Sequence, residues 1–375
     1  MNHKSAPSRM LRLLFWESTI QCNLTCAHCR RLEDNEAAPN DMSTDQAKTL
    51  ISQLAELGHS QPMMPIMVFS GGEPLCRPDL FELIAYAKEQ GLIPALATNG
   101  TLIDEAMTDR IAASGVERVS ISLDGATAEM HDHMRQLKGS FDQAVQGITH
   151  LHNKGVPFQI NMTVTQHNRH QLTDLYELAL SLGAVAVHPF MLVPVGCGVE
   201  LAETDMMTPL QYEESLKLIA DLEKRGDMEI KVTCGPHYER VKREVGLYPS
   251  VHGHGKAPAG HGHGHAHGQG QGGASSRGCL AGMGVVFVGH QGEVFPCGYL
   301  PVLCGNVLET SVSDIWNYSK DLVQLSDSDA LEGKCGACGF RKVCGGCRAR
   351  AYAETQNYLA EEPFCVYKPK GTHTS

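Results

Sequence analysis

An α/β fold is predicted, in which a parallel sheet forms a partial (β/α)6 TIM-like barrel and a small cysteine-rich domain follows it. Three observations predict this. Short apolar runs alternate with helical periodicity six times in the first 225 residues. Glycine follows the last turn of several helical patterns, at Gly58, Gly91, Gly115, Gly155 and Gly183. Eight of the 14 cysteines fall between residues 279 and 365.

The apolar runs at 11–19, 65–70, 93–98, 116–123, 158–164 and 184–193 read as buried strands. The helical patterns are 44–57, 79–90, 104–113, 141–153, 172–182 and 209–225, the first opened by Ser43 or Thr44 as a cap. Strand–helix alternation implies right-handed crossovers and parallel pairing. Six units are too few to close an eight-stranded barrel, and an open barrel fits better than a doubly wound sheet. In either architecture the ligand site lies at the C-terminal ends of the strands.

The expected division is a tail at 1–12, the barrel at 13–226, a connecting segment at 227–248, an insert at 249–277 and the cysteine-rich region at 278–375. The insert is rich in Gly, carries six His from His252 to His267, has no apolar period and reads as flexible. The last region opens with a hairpin pattern, 284–290 then 292–299, turning at Gln291-Gly292. It is too short and cysteine-rich to rest on an apolar core alone, so a metal centre is expected to staple it.

Composition narrows the class. Apolar residues make up 42% of the chain, enough for a sizeable core, and the net charge is −11. Acidity argues against nucleic acid or an anionic membrane as main partner. No apolar run reaches the ~20 residues of a membrane span, and no signal-peptide core opens the chain. A cytoplasmic, monomeric protein is expected. Fourteen cysteines in a reducing compartment point to metal or redox chemistry rather than disulfides.

Cys22, Cys26 and Cys29 are spaced C-x3-C-x2-C just after the first strand. Three thiolates so close suit three corners of a [4Fe–4S] cube, leaving one iron open to a small molecule. Zinc or free thiols are the plainer alternatives. This spacing resembles the radical S-adenosylmethionine (radical SAM) superfamily, in which the open iron chelates the amino-acid part of SAM. The superfamily usually has an aromatic residue before the third Cys; here it is His28, as in tetrapyrrole-modifying members.

Further matches follow at strand ends. Gly71-Gly72-Glu73 after the second strand resembles the superfamily's GGE motif, in which glycine allows close backbone approach and Glu73 accepts a charge-assisted bond from the SAM ammonium. On its own, Gly-Gly-Glu is a tight turn. The resemblance further assigns SAM contacts to Asn99, Ser122, Asp124, Arg135 and Asn161: Ser122 and Asp124 near the ribose, Arg135 at the carboxylate. Each also reads as an ordinary turn or satisfied polar residue.

Cys279-x12-Gly292-x4-Cys297, then Cys335-x2-Cys338-x5-Cys344-x2-Cys347-x17-Cys365, resembles the seven-cysteine SPASM/twitch-type domain, with x2 where x3 is usual between Cys344 and Cys347. The resemblance assigns Cys335, Cys338, Cys344 and Cys365 to one auxiliary [4Fe–4S] cluster, and Cys279, Cys297 and Cys347 to a second, with Cys304 as candidate fourth ligand. A zinc ribbon is the alternative at 335–347. Cys76, Cys197 and Cys234 read as small buried residues, Cys197 being the one that could approach the site. The His/Gly tract has a weak metal-binding reading besides that of a plain insert.

The segments 193–200, 233–238, 296–300, 344–352 and 358–365 resemble the tetrapyrrole-modifying branch, above all haem b synthases of the siroheme-dependent pathway. That resemblance implies oxidative decarboxylation of two propionates of iron-coproporphyrin III to vinyl groups. A 5′-deoxyadenosyl radical removes hydrogen from the propionate carbon attached to the ring, carbon dioxide leaves, and an auxiliary cluster accepts an electron. A low-potential donor such as flavodoxin or ferredoxin is implied. Arg348, Arg350, His188 and His237 are candidate carboxylate partners by residue type. The alternatives are a sister enzyme acting on didecarboxysiroheme or a haem d1 precursor, a peptide or protein maturase, and an iron–sulfur electron or metal carrier.

Overall fold

The computed structural model describes residues 9–30, 40–196, 204–247 and 277–369. The His/Gly insert up to residue 276, and Cys197, lie outside them.

The six expected strands form and pair in parallel in chain order: β1 (Leu13–Glu17), β2 (Ile66–Ser70), β3 (Ile93–Thr98), β4 (Arg118–Ser122), β5 (Phe158–Val164) and β6 (Ala186–Met191). A two-residue β7 (Glu229–Ile230) extends the sheet past β6. The crossover helices are α1 (Thr44–His59), α2 (Leu80–Glu89), α3 (Glu105–Ala113), α4 (Ala128–Arg135), α5 (Ser140–Lys154), α6 (Leu172–Ser181) and α7 (Pro209–Glu223). Of these, α4 has no counterpart in the sequence reading. It is short and polar, and its start is marked only by Thr127, whose side chain accepts from the Met130 amide.

Local chemistry sets the helix ends. Ser43 and Gln46 make a capping box on α1, and Thr208 and Gln211 make another on α7, with Pro209 in its first turn. The helix-facing side of the sheet is apolar. Trp16 and Phe69, both fully buried, meet edge to face at 5.7 Å beneath α1. Each such side chain contributes about 1.5–3 kcal/mol relative to exposure. The other face of β4–β6 carries polar, half-buried residues at alternate positions, as the two-residue strand period requires.

The expected hairpin forms as β8 (Val285–Val288) and β9 (Glu293–Phe295). It is not a separate sheet. β8 pairs in parallel with β1, so one ten-stranded sheet runs β10 (Gly305–Asn306)-β9-β8-β1-β2-β3-β4-β5-β6-β7. Val286, Val288 and Val294 join the main core with Ile315 and Trp316 of α9 (Val312–Tyr318). The remaining helices are α8 (Tyr238–Glu244), α10 (Lys320–Ser326), α11 (Gly333–Ala337) and α12 (Arg348–Thr355).

Candidate functional site

The segment bearing Cys22, Cys26 and Cys29 leaves the C-terminal end of β1. It is tied down at both ends: the Ser18 amide donates to Ser70 O at 2.8 Å, and the Ala27 amide to Met134 O at the end of α4 at 3.1 Å. The Leu24 amide donates to Cys22 Sγ at 3.4 Å. Arg30, just beyond Cys29, pairs with Glu17 at 2.5 Å and lies over the Phe287 ring at 4.1 Å, joining this segment to the C-terminal hairpin.

Gly71 and Gly72 lie against that same segment. The Gly72 amide donates to Thr19 O and the Glu73 amide to Gln21 O, both at 2.7 Å. A Cβ on Gly72 would sit 2.3 Å from Gln21 O, and one on Gly71 would sit 2.5 Å from Thr19 O. Only glycine permits this approach. Glu73 is fully buried and already engaged: Oε1 accepts from Thr98 Oγ1 (2.7 Å) and the Leu75 amide, Oε2 from the Asn99 amide (2.8 Å). Burial raises its pKa against those donors. The Asn99 side chain reaches Asn23 Oδ1 at 2.8 Å, locking the end of β3 to the cysteine segment.

Asp124 is the hub of a second cluster. Its Oδ2 lies 2.7 Å from Arg135 Nη2 and 3.4 Å from His28 Nε2, and its Oδ1 accepts from the Thr163 amide at 2.8 Å. Arg135 Nη1 reaches Cys26 Sγ at 3.6 Å. Burial alone would raise the Asp124 carboxyl; the charges of Arg135, then His28 and His131, outweigh it and hold the pKa below the ordinary value. Burial lowers the His28 pKa against the opposing pull of Asp124. Asp124 Oδ2 has this ionic contact but no aligned hydrogen bond, Arg135 Nε has no partner, and His28 Nδ1 has no well-aligned one, the ring lying within reach of the Met134 backbone. Three under-satisfied buried polar atoms thus gather beside Cys26, where a polar ligand would satisfy them.

The sheet register sets Ser122 beside Asn161 and Asn161 beside His188 across β4, β5 and β6. Gln159 Nε2 bonds Asn161 Oδ1 and His188 Nδ1, each at 2.9 Å. His188 Nε2 has no partner. Burial, then the charges of Lys231 and Arg118, lower the His188 pKa to about 3.

In the C-terminal region Cys335, Cys338, Cys344 and Cys365 line one solvent-open pocket, with Phe340 and Tyr367. Backbone amides donate to three of these sulfurs: Glu362 to Cys335 (3.3 Å), Phe340 to Cys338 (3.4 Å) and Gly346 to Cys344 (3.4 Å). Such N–H···S bonds suit cluster thiolates. Among the described residues no group of three or more His, Cys, Asp or Glu side chains is arranged to hold a single metal ion. Cys279, Cys297 and Cys347 pack about a different, small apolar cluster, and Cys234 packs with them. Cys304 packs against the main core instead.

Two expectations are corrected. Arg348 donates to Gly346 O, Tyr358 O and Ala360 O, and reaches Cys335 Sγ at 3.8 Å. Arg350 donates to Glu362 Oε1 (3.0 Å), Leu192 O, Tyr212 OH (2.7 Å) and Cys234 O (2.6 Å). Both are fully buried with their donors taken by protein acceptors, so neither offers a free fork to a substrate carboxylate. Sequence reasoning missed Glu362, a fully buried carboxylate at Arg350 and the Cys347 amide. Burial opposes its ionisation, but Arg350 and His237 outweigh burial and hold it at about 2.

The comparisons with known proteins agree with this layout. A radical SAM superfamily profile matches residues 16–179 and an iron–sulfur cluster-binding SPASM domain profile matches 279–339. The AdoMet-dependent heme synthase of Methanosarcina barkeri is 43% identical over 96% of this chain and 97% of its own. The chain belongs to the radical SAM superfamily.

The same organism's Fe-coproporphyrin III synthase, another relative, is 29% identical over 96% of this chain and 91% of its own. In fold, this radical SAM enzyme is similar to Streptococcus suis SuiB bound to its precursor peptide SuiA, with a TM-score of 0.72, 15% identity, and coverage of 96% of this chain and 76% of that one. A radical SAM enzyme with a SPASM domain uses SAM, a [4Fe–4S] cluster that binds it, and auxiliary iron–sulfur clusters. The geometry fits them: a cysteine triplet beside unsatisfied polar atoms, and a four-cysteine cavity with N–H···S donors.

Proposed function

We propose that this enzyme converts two propionates of iron-coproporphyrin III to vinyl groups, giving haem b. The observation that carries the reading is the 43% identity to a heme synthase over nearly the full length of both chains. The 29% identity to an Fe-coproporphyrin III synthase favours the sister reaction less. When bound, SAM and its cluster supply a 5′-deoxyadenosyl radical that takes hydrogen from a propionate.

The chain's own residues do the rest. Cys22, Cys26 and Cys29 hold the SAM cluster. Gly71, Gly72, Glu73 and Asn99 fix the loop geometry around SAM, and Glu73 keeps acceptor capacity for its ammonium. Arg135 and Asp124 orient its polar end, and His28 completes the wall between Asp124 and the cysteines. Ser122, Asn161 and His188 offer a polar, partly covered surface at the barrel's open face, where uncharged His188, its Nδ1 accepting from Gln159, has Nε2–H free to donate a hydrogen bond. Cys335, Cys338, Cys344 and Cys365 hold an auxiliary cluster suited to accept the electron that decarboxylation releases. An external low-potential donor primes the SAM cluster.

The test is anaerobic. The reconstituted enzyme receives SAM, a strong reductant and iron-coproporphyrin III, and tetrapyrrole masses are followed. Two successive losses of carbon dioxide plus two hydrogens support the reading. SAM cleavage with unchanged porphyrin rejects it and points to siroheme derivatives or peptides.

A further inference from the structure

The seven-cysteine pattern leaves Cys279, Cys297 and Cys347 one thiolate short of the four that close a [4Fe–4S] cube. Cys304 is nearest to the trio's motif in sequence but not in space. It packs on the main core, and its thiol lies 3.5 Å from Val302 O. Cys234, before α8, packs on the same small apolar cluster as the trio. Burial, then the neighbouring thiols of Cys347, Cys297 and Cys279, raise its pKa, and burial with Cys279 and Cys347 raises that of Cys297.

The backbone at Cys234 is an independent observation. Cys234 has φ +56°, one of three non-glycine residues with positive φ among the described residues. A β-carbon in that region crowds the carbonyl oxygen that follows it. Gly235 follows directly, so a one-residue shift would have placed glycine there. Two buried donors hold the residue in this conformation: Arg350 Nη2 and Tyr212 OH bond its carbonyl oxygen at 2.6 and 2.9 Å. A cysteine kept in a strained conformation by buried side chains, among three other thiols, has a reason to be cysteine.

We infer that Cys234 is the fourth protein ligand of the auxiliary cluster carried by Cys279, Cys297 and Cys347. This rests on the reading that those three cysteines hold a cluster. With four thiolates its irons are all closed, so it passes electrons without binding substrate at iron, unlike the SAM cluster with its three cysteines.

The experiment compares full-length wild type, Cys234→Gly, Cys234→Ser and Cys304→Ala after anaerobic reconstitution, by iron and sulfide content and electron paramagnetic resonance. Glycine removes the thiol and relieves the positive φ, so the apo variant should fold at least as well as wild type, as circular dichroism will report. Three cubes give about twelve irons in wild type and in Cys304→Ala. Cys234→Gly should hold about eight, or show a new [3Fe–4S] signal in the oxidised protein. Cys234→Ser keeps an oxygen donor and should retain iron with an altered spectrum of the reduced cluster. A Cys234→Gly protein with about twelve irons and the wild-type spectrum overturns the inference, as does loss confined to Cys304→Ala. Wild type with only about eight irons removes the underlying cluster reading as well, which separates the two failures.

Discussion

Arg135 stands between a carboxylate and a thiol: its Nη2 is 2.7 Å from Asp124 Oδ2 and its Nη1 is 3.6 Å from Cys26 Sγ. The contact joins the end of α4 and the loop after β4 to the cysteine segment, which lies 109 residues away from Arg135 at Cys26. Removing either charge strands the other in a buried site, at a cost of about 3–5 kcal/mol. Asp124→Asn and Arg135→Met should each lower the unfolding midpoint and reduce SAM cleavage by about tenfold or more, since about 1.4 kcal/mol of lost orientation is a tenfold change. Unfolding curves and 5′-deoxyadenosine yield check this. Unchanged yield from both variants would remove these residues from the SAM site.

Gly72→Ala sets a methyl against Gln21 O at 2.3 Å, on a backbone that has nowhere to move. The cysteine segment must shift, so the variant should lose about four irons and SAM cleavage while the auxiliary clusters remain. Iron content measures it. Full iron with normal SAM cleavage would contradict the close-approach argument.

Arg350 and Glu362 are both fully buried and 3.0 Å apart. Arg350→Met leaves the buried carboxylate without its cationic partner and takes one donor each from the Cys234 carbonyl and the Tyr212 hydroxyl, and should destabilise the protein by about 3–5 kcal/mol. Arg350→Met with Glu362→Gln should recover part of that loss, because the stranded charge is gone. Denaturant midpoints of the single and double variants decide between this and a surface-like pair worth under about 1 kcal/mol.

His188 is held neutral, its pKa lowered to about 3 by burial and the charges of Lys231 and Arg118. The unfolded chain protonates this histidine near its ordinary value of 6.5 while the folded chain does not. The unfolded state therefore binds more protons between those values, and stability falls as pH drops below 6.5. From pH 7 to pH 5 the loss from His188 is about 2 kcal/mol. His188→Gln should flatten this slope by that amount in urea titrations at the two pH values. An unchanged slope would mean that His188 protonates in place.

The strands and the cysteine triplet were legible because their signals are local: an apolar run bounded by glycine, and three thiols within eight residues. The hairpin was legible too, but its parallel pairing with β1 was not, since no local pattern encodes a partner about 270 residues away. Arg348 and Arg350 show the same limit. Their residue type suggested substrate carboxylates, but their partners come from distant segments such as Tyr358, Leu192 and Cys234. Asp124 was legible as a strand-end residue; that it binds Arg135 and His28 together needed the fold. Cys234 read as a plain buried residue because its spacing to the other cysteines matches no ligand motif, although its segment, 233–238, resembles the tetrapyrrole-modifying branch.

The central claim is a radical attack on the propionate carbon attached to the ring. Iron-coproporphyrin III deuterated at those carbons tests it directly, under anaerobic turnover with SAM and reductant. The account predicts one deuterium in the 5′-deoxyadenosine formed, together with tetrapyrrole masses that fall, per vinyl group, by carbon dioxide, the transferred deuterium and the carboxyl hydrogen. Unlabelled 5′-deoxyadenosine beside an unchanged porphyrin would contradict it.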